Sequence, residues 1–190
     1  MIVGAIILAA GRSTRMGDAH KLLAVWRAQP LVKHVADAVA DAGLPPPVIV
    51  LGHCADDVRA ALDGHAAHFV VAPGFADGLS ASLRAGLAAA PHDWDAALIC
   101  LGDMPRVGAA TLRALAAVAS PTVVAVPVWA GRRGNPLLWG RAHFDALAAQ
   151  TGDTGGKALL AGQRVIEVAA DSDGVLVDVD TVEALASLGT

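Results

Sequence analysis

The chain has 190 residues, 55% hydrophobic and 17% charged, which excludes a disordered chain and suffices to bury one core of ordinary domain size. Its formal charge of −4 argues against a nucleic-acid-binding surface, so any positive site must be local. Two cysteines, Cys54 and Cys100, lie in dissimilar contexts without metal-ligand spacing, which fits a reduced cytoplasmic protein better than a disulfide scaffold.

The opening run "MIVGAIILAAG" lacks the basic start of a signal peptide and is too short to span a bilayer. It reads as a buried first strand, and no membrane association is expected. "PLVKHVADAVADAG" reads as a helix that begins at Pro30 and stops at Gly43. "PPVIVLG" is the next strand, "ADDVRAALDG" a helix and "HFVVAP" a strand. "GLSASLRAGLAAA" is helical, "DAALICLGD" a strand, "GAATLRALAAVA" a helix and "PTVVAVPVW" a further strand.

Apolar strands alternating with helices predict parallel βαβ units. The fold class is therefore α/β, with a mostly parallel, Rossmann-like sheet sandwiched by helices. After Trp129 the rhythm breaks. "AGRRGNPLLWG" reads as a turn and strand, and "RAHFDALAAQ" and "TGGKALLAG" as short helices. "RVIEVA" and "VLVDV" are strand candidates, and "DTVEALASL" is a final helix. No repeat, linker or low-complexity block intervenes, so residues 1–190 are expected to form one domain.

Open parallel sheets bind ligands outside the carboxyl ends of their strands. Two features fall there. The loop "LAAGRSTRMGDAHK", residues 8–21, sets Arg12, Arg15 and Lys21 among two glycines, a pattern suited to close approach by a polyphosphate. "GDMP" sets Asp103 at the end of "AALICL". The loop supplies neither G-x-G-x-x-G nor a P-loop. "GDTGGKA" imitates a P-loop, but its glycine spacing is one short and Ala158 replaces the magnesium-binding hydroxyl.

What remains, A-A-G-x-S-x-R-M-G followed by Lys21, resembles the signature of the MobA/MocA-like nucleotidyltransferases. "GLSASLRAGL", "LGDMP", "RRGNP", "GDTGGKALL" and "VDVDTVEAL" are similar to further segments of that family, so the resemblance covers residues 4–188. It implies a nucleotide-diphospho-sugar transferase-like fold. It also implies nucleotide contacts from Leu8, Ala9, Ala10, Gly11, Ser80 and Ser82, with Arg15 and Lys21 on the triphosphate. Asp103 would hold Mg2+, completed by Asp180 in preference to Asp178, and Asn135, Asp153 and Lys157 would face the acceptor. Asn135 departs from the histidine that relatives often carry. Arg15, Lys21 and Asp103 are the expected catalytic residues.

Ala-Ala-Gly at 9–11 resembles the cytidylyltransferase branch, where guanylyltransferases usually carry Ala-Gly-Gly. A methyl at Ala10 narrows the base pocket toward a pyrimidine. The implied reaction is transfer of a cytidylyl group from CTP to molybdenum cofactor (molybdopterin), with release of pyrophosphate and a molybdoenzyme or its maturation factor as downstream partner. The rivals are GTP on the same acceptor, CTP on another phosphorylated acceptor such as a methylerythritol phosphate, and a cofactor-binding chaperone without catalysis.

Each residue also has a plainer reading. Asp103 and Asp180 are candidates for helix N-caps, and Ser80 and Ser82 for the cap of their own helix. Arg84 reads as a surface helix residue. His65 and His68 have H-x-x-H spacing without a third ligand, and His20 and His53 are assigned no metal.

Overall fold

The computed structural model describes residues 1–11 and 20–189, with residues 77, 153–155, 157 and 158 described by their backbone alone. The strands are β1 (Val3–Ala9), β2 (Val25–Trp26), β3 (Gln29–Pro30), β4 (Val48–Leu51), β5 (His68–Val71), β6 (Ala96–Leu101), β7 (Val124–Trp129), β8 (Arg132–Arg133), β9 (Leu137–Gly140) and β10 (Val165–Ala169). The helices are α1 (Leu31–Asp41), α2 (Ala55–Ala61), α3 (Leu79–Ala89), α4 (Ala109–Ala117), α5 (Phe144–Ala148) and α6 (Val182–Ser187).

The main sheet runs β10-β7-β9-β6-β1-β4-β5, with β8 added to β7. Strand β1 is buried along its whole length because it lies mid-sheet, parallel to β4 and β6. Its side chains alternate faces, as the pleat demands. Ala5, Ile7 and Ala9 pack with Val35 and Val39 of α1, Val58 of α2 and Leu112 of α4. Ile6, Leu8 and Ala10 pack with Leu83 and Leu87 of α3 and Leu147 of α5. Two cores thus cover two sheet faces, the three-layer arrangement expected from the sequence. Fully burying a Val or Leu side chain contributes about 1.5–3 kcal/mol, so these faces dominate stability.

The order departs from uniform parallel pairing at β9 and at the short β8, which pairs antiparallel with β7. β9 runs antiparallel between β6 and β7, which are themselves parallel to the rest. The broken rhythm after Trp129 marks this reversal. "VLVDV" forms no strand: Asp173–Leu176 is a 3-10 turn and residues 177–180 have no regular secondary structure. Its polar backbone is satisfied by loops instead, with Asn135 N donating to Val175 O and Val179 N donating to Asp103 O, both at 2.9 Å. "TGGKALLAG" lies in a 3-10 helix over Gly152–Gly162. Pro30 pairs in the β2–β3 hairpin and precedes α1, which starts at Leu31.

A third, small core joins Leu31, Val179 and Leu188, with Trp26 and Leu185 against it. It fastens the C-terminal segment beside the start of α1, and the Trp26 indole N–H donates to Gly189 O at 2.7 Å. Among the described residues no helix is long and apolar enough to cross a membrane. Cys54 and Cys100 are both free, and burial pushes the Cys100 thiol up to about 12.

Candidate nucleotide-binding site

The carboxyl ends of β1 and β6 meet side by side, where Gly102 N donates to Leu8 O at 3.0 Å. A 3-10 turn, Lys21–Leu23, is anchored by Leu22 in the α1-side core and carries Lys21 to this point. Lys21 Nζ donates to Asp103 Oδ2 at 2.5 Å and to Asp180 Oδ1 at 2.7 Å. Three distant parts of the chain therefore converge on one ammonium. The backbone hydrogen bond that Val179 N donates to Asp103 O holds the two acidic segments together.

Burial alone would lower the Lys21 pKa, but Asp103 first and Asp180 second outweigh it and hold the ammonium above its ordinary value. Asp103 is itself raised, by burial first; Lys21 opposes the shift and Asp180 adds to it. Its Oδ1 is buried and has no hydrogen-bond partner among the described residues. A buried acceptor left in that state costs about 1–3 kcal/mol, so its retention points to a ligand.

A cavity of ≈ 370 Å³ opens beside this cluster. Lys21 and Asp103 form its charged end, and Leu8, Ala10 and Gly11 of the β1 end form one wall. Phe75, Gly78, Leu79 and Ser82, from the entry and first turns of α3, form another. A ligand with an anionic tail and a flat, weakly polar head matches this polarity.

Of the residues singled out in the sequence, Leu8, Ala10, Gly11, Lys21, Ser82 and Asp103 line the cavity together. Ala9 turns to the opposite sheet face, into the α1-side core. Ser80 is buried but outside the lining. Neither serine caps α3, whose N-cap is Gly78. Asp180 reaches Lys21, whereas Asp178 is exposed. The cap of α6 belongs to Thr181, whose hydroxyl accepts from Ala184 N at 3.1 Å, so Asp180 is not spent on capping. Nor does Asp103 cap a helix, since α4 begins at Ala109 behind Gly108.

Asn135 lines a separate small apolar cavity with Cys100, Met104 and Val107, next to the site through Leu101. Arg15, like Arg12 and Gly17, lies outside the described residues, as do the side chains of Asp153 and Lys157. Arg84 donates to Ala148 O and Gln150 O at the end of α5, a structural tie. His65 pairs with Asp37 at 2.7 Å, and His20 stacks on His53 with ring centroids 5.6 Å apart. Phe75 and Leu79 were not singled out; the glycines of "GFADGL" were the available sign of a close-packed loop.

The donor set fits a hard divalent cation. Asp103 and Asp180 supply two carboxylates with one oxygen unsatisfied, and magnesium characteristically takes one or two carboxylates together with substrate phosphates. No group of three or more His, Cys, Asp or Glu side chains suited to a metal occurs among the described residues, so an all-protein cage is absent there.

The family model for the MobA-like NTP transferase domain matches residues 5–168. The chain belongs to that family. The bifunctional protein GlmU of Sphingopyxis alaskensis is 38% identical over 145 residues, 75% of this chain and 32% of that protein. The chain thus spans about a third of that relative's length. Nicotine blue oxidoreductase of Paenarthrobacter nicotinovorans is 30% identical over 195 residues, 96% of this chain and 94% of the relative. Among solved structures, a nucleotidyl transferase from Methanothermobacter thermautotroptrophicus superposes with a TM-score of 0.87 at 28% identity, covering 98% of this chain and 95% of the other. Rv0371c from Mycobacterium tuberculosis H37Rv in complex with manganese gives 0.85 at 31% identity, covering 99% and 98%. This MobA-like domain thus has the nucleotidyltransferase fold, and a divalent cation accompanies one of its structural neighbours.

Proposed function

We propose that this MobA-like domain transfers a cytidylyl group from CTP to a molybdopterin-type acceptor in the cytoplasm and releases pyrophosphate. The observation that carries the nucleotidyl-transfer reading is Lys21 held between Asp103 and Asp180 in a cavity that Leu8, Phe75 and Leu79 also line. The choice of CTP rests on Ala10, one of the residues lining that cavity, and the choice of acceptor on the family motifs.

The acceptor's phosphate oxygen attacks the α-phosphorus of the triphosphate. A new P–O bond forms, the bond to the β-phosphate oxygen breaks, and pyrophosphate leaves with the electron pair. Such a reaction needs alignment and charge neutralisation more than covalent help from side chains. Lys21, charged across the physiological range because its pKa is raised, donates to the triphosphate oxygens, with Arg15 assigned to the same tail. Asp103 and Asp180 would hold magnesium, which when bound would neutralise triphosphate charge and stabilise the leaving pyrophosphate. Ser82 faces the nucleoside, Ala10 restricts the base, and Asn135, Asp153 and Lys157 are assigned to the acceptor. A molybdoenzyme or its maturation factor would take up the product.

Pyrophosphate release, measured with CTP, GTP, ATP and UTP in turn and with molybdopterin present or absent, tests the reading. Acceptor-dependent release, fastest with CTP, is expected. Fastest release with GTP would reassign the base. Release with CTP only on a different phosphorylated acceptor would reassign the substrate. Nucleotide binding without any release would favour the chaperone role. Electron transfer to a dye without nucleotide would instead align the chain with its relative named an oxidoreductase.

A further inference from the structure

We propose that the Phe75 ring is the base-stacking wall of the cavity and that Gly52, at the end of β4, is the residue that positions it. The inference rests on the nucleotide reading above and specifies how the site distinguishes a nucleotide from a bare polyphosphate.

The charged end of the cavity is fixed by Lys21 and Asp103, so a bound nucleotide must point its base away from them. Asp103 follows β6, whereas Phe75 rests against Gly52 at the end of β4, two strands across the sheet. With Ala76 and Leu79 it gives the lining an apolar surface and one π-face. Nucleobases stack on aromatic rings whatever their hydrogen-bonding edge. Among the described residues lining the cavity, Phe75 is the sole aromatic.

Two left-handed glycines, Gly74 (φ 73°) and Gly78 (φ 113°), bracket the 3-10 turn Phe75–Asp77 and set its path into α3. The ring's depth is set from behind. A Cβ at Gly52 would lie 2.8 Å from Phe75 Cγ, 2.7 Å from Ala10 Cβ and 2.6 Å from Ala10 O. Phe75 and Ala10 therefore face the same cavity from two loops while resting on one bare Cα. His53 N, the next donor along, holds Ala10 O at 3.4 Å. Any side chain at position 52 drives the two walls forward or apart, because the obstruction includes backbone that cannot rotate away. Gly52 touches no ligand; it acts through Phe75 and Ala10.

Calorimetric titration of CTP, GTP and inorganic tripolyphosphate, each with magnesium, tests this in the full chain. Phe75→Leu keeps an apolar side chain but removes the π-face; it is expected to weaken the better-bound nucleotide about tenfold or more, with tripolyphosphate changed less than about twofold. Phe75→Trp should retain nucleotide affinity. Gly52→Ala should reproduce the selective loss, and Gly52→Ala with Phe75→Leu should lose little more than either alone. Unchanged nucleotide affinity in Phe75→Leu, or equal losses for nucleotide and tripolyphosphate, overturns the assignment of Phe75 while leaving the nucleotide reading in place. Equal losses for both ligands in Gly52→Ala overturn the positioning role. A wild type that binds neither nucleotide overturns both readings together. Because Phe75→Leu is judged by the ratio of two affinities in one folded sample, a failure of Gly52→Ala to fold does not rescue the proposal.

Discussion

The C-terminal segment is tied to the sheet at two polar knots that use their carboxylates in opposite ways. At the first, Arg106 donates to Asp173 at 2.6 Å, and buried Thr111 donates to Asp171 Oδ1 at 2.5 Å while accepting from Asp171 N at 3.2 Å. The segment lies close here: a Cβ on Gly134 would meet Val175 O at 2.2 Å, and one on Gly174 would meet Arg106 O at 2.1 Å. The glycine of "RRGNP" thus has a packing reason. At the second knot, one ammonium serves two carboxylates, Asp103 is deep, and one of its oxygens has no partner among the described residues. The first knot spends its polar groups on holding the chain. The second keeps charge under tension, which a purely structural contact has no reason to retain.

Substitutions at the two knots should therefore separate activity from stability. Asp103→Asn should lower turnover at least about 100-fold, because it removes the charge that binds the cation. Its melting temperature at neutral pH should stay near that of the wild type, because two effects oppose. Asp103 has a raised folded pKa, so its contribution is fully present below the unfolded value and is lost as pH rises through the folded one, a loss that asparagine removes. Lys21, whose raised pKa owes most to Asp103, loses that partner and keeps Asp180. A large drop in thermal stability with normal pyrophosphate release would exchange the roles of the two knots.

Lys21→Met should weaken a triphosphate by about 1.5–3 kcal/mol and a nucleoside monophosphate much less, as titration of CTP against CMP would reveal. It should also destabilise the fold at neutral pH by leaving Asp103 without its cation. That deficit should shrink as pH falls and Asp103 takes up a proton; melting curves across pH check it. Asp180→Asn should impair turnover more than Asp178→Asn, since Asp180 alone of the pair reaches Lys21. Equal impairment would break the distinction between them. Thr111→Val should cost about 1–3 kcal/mol of stability, read by denaturant unfolding, because it removes a donor from Asp171. Its kcat/KM should stay near wild type wherever the variant is folded. Ala10→Gly should have the smallest effect, a partial shift in kcat/KM toward GTP worth about 1–3 kcal/mol.

The parallel half of the fold was legible because β1, β4 and β6 are unbroken apolar runs and α1 presents Leu31, Val32, Val35, Ala36 and Val39 on one helical face. The reversal at β9 left a subtler trace. Residues 130–136 separate β7 from β9, fewer than the dozen or so that a parallel crossover requires. "VLVDV" misled because its apolar alternation mimics a strand, whereas its backbone bonds go to Asn135 and Asp103 in loops. Lys21 and Asp103 were readable as strand-end residues, but the arrival of Asp180 depends on the Leu31–Val179–Leu188 core, which no local pattern encodes. Phe75 escaped notice for the same reason, since its place against Gly52 is a contact between loops.

The claim that the Lys21–Asp103–Asp180 knot is a working site is tested most directly by titrating manganese into the protein with CTP and following the free ion by electron paramagnetic resonance. One tight, CTP-dependent manganese site is predicted in the wild type, lost in Asp103→Asn and in Asp180→Asn and retained in Thr111→Val. Manganese binding that is indifferent to Asp103 would contradict the account.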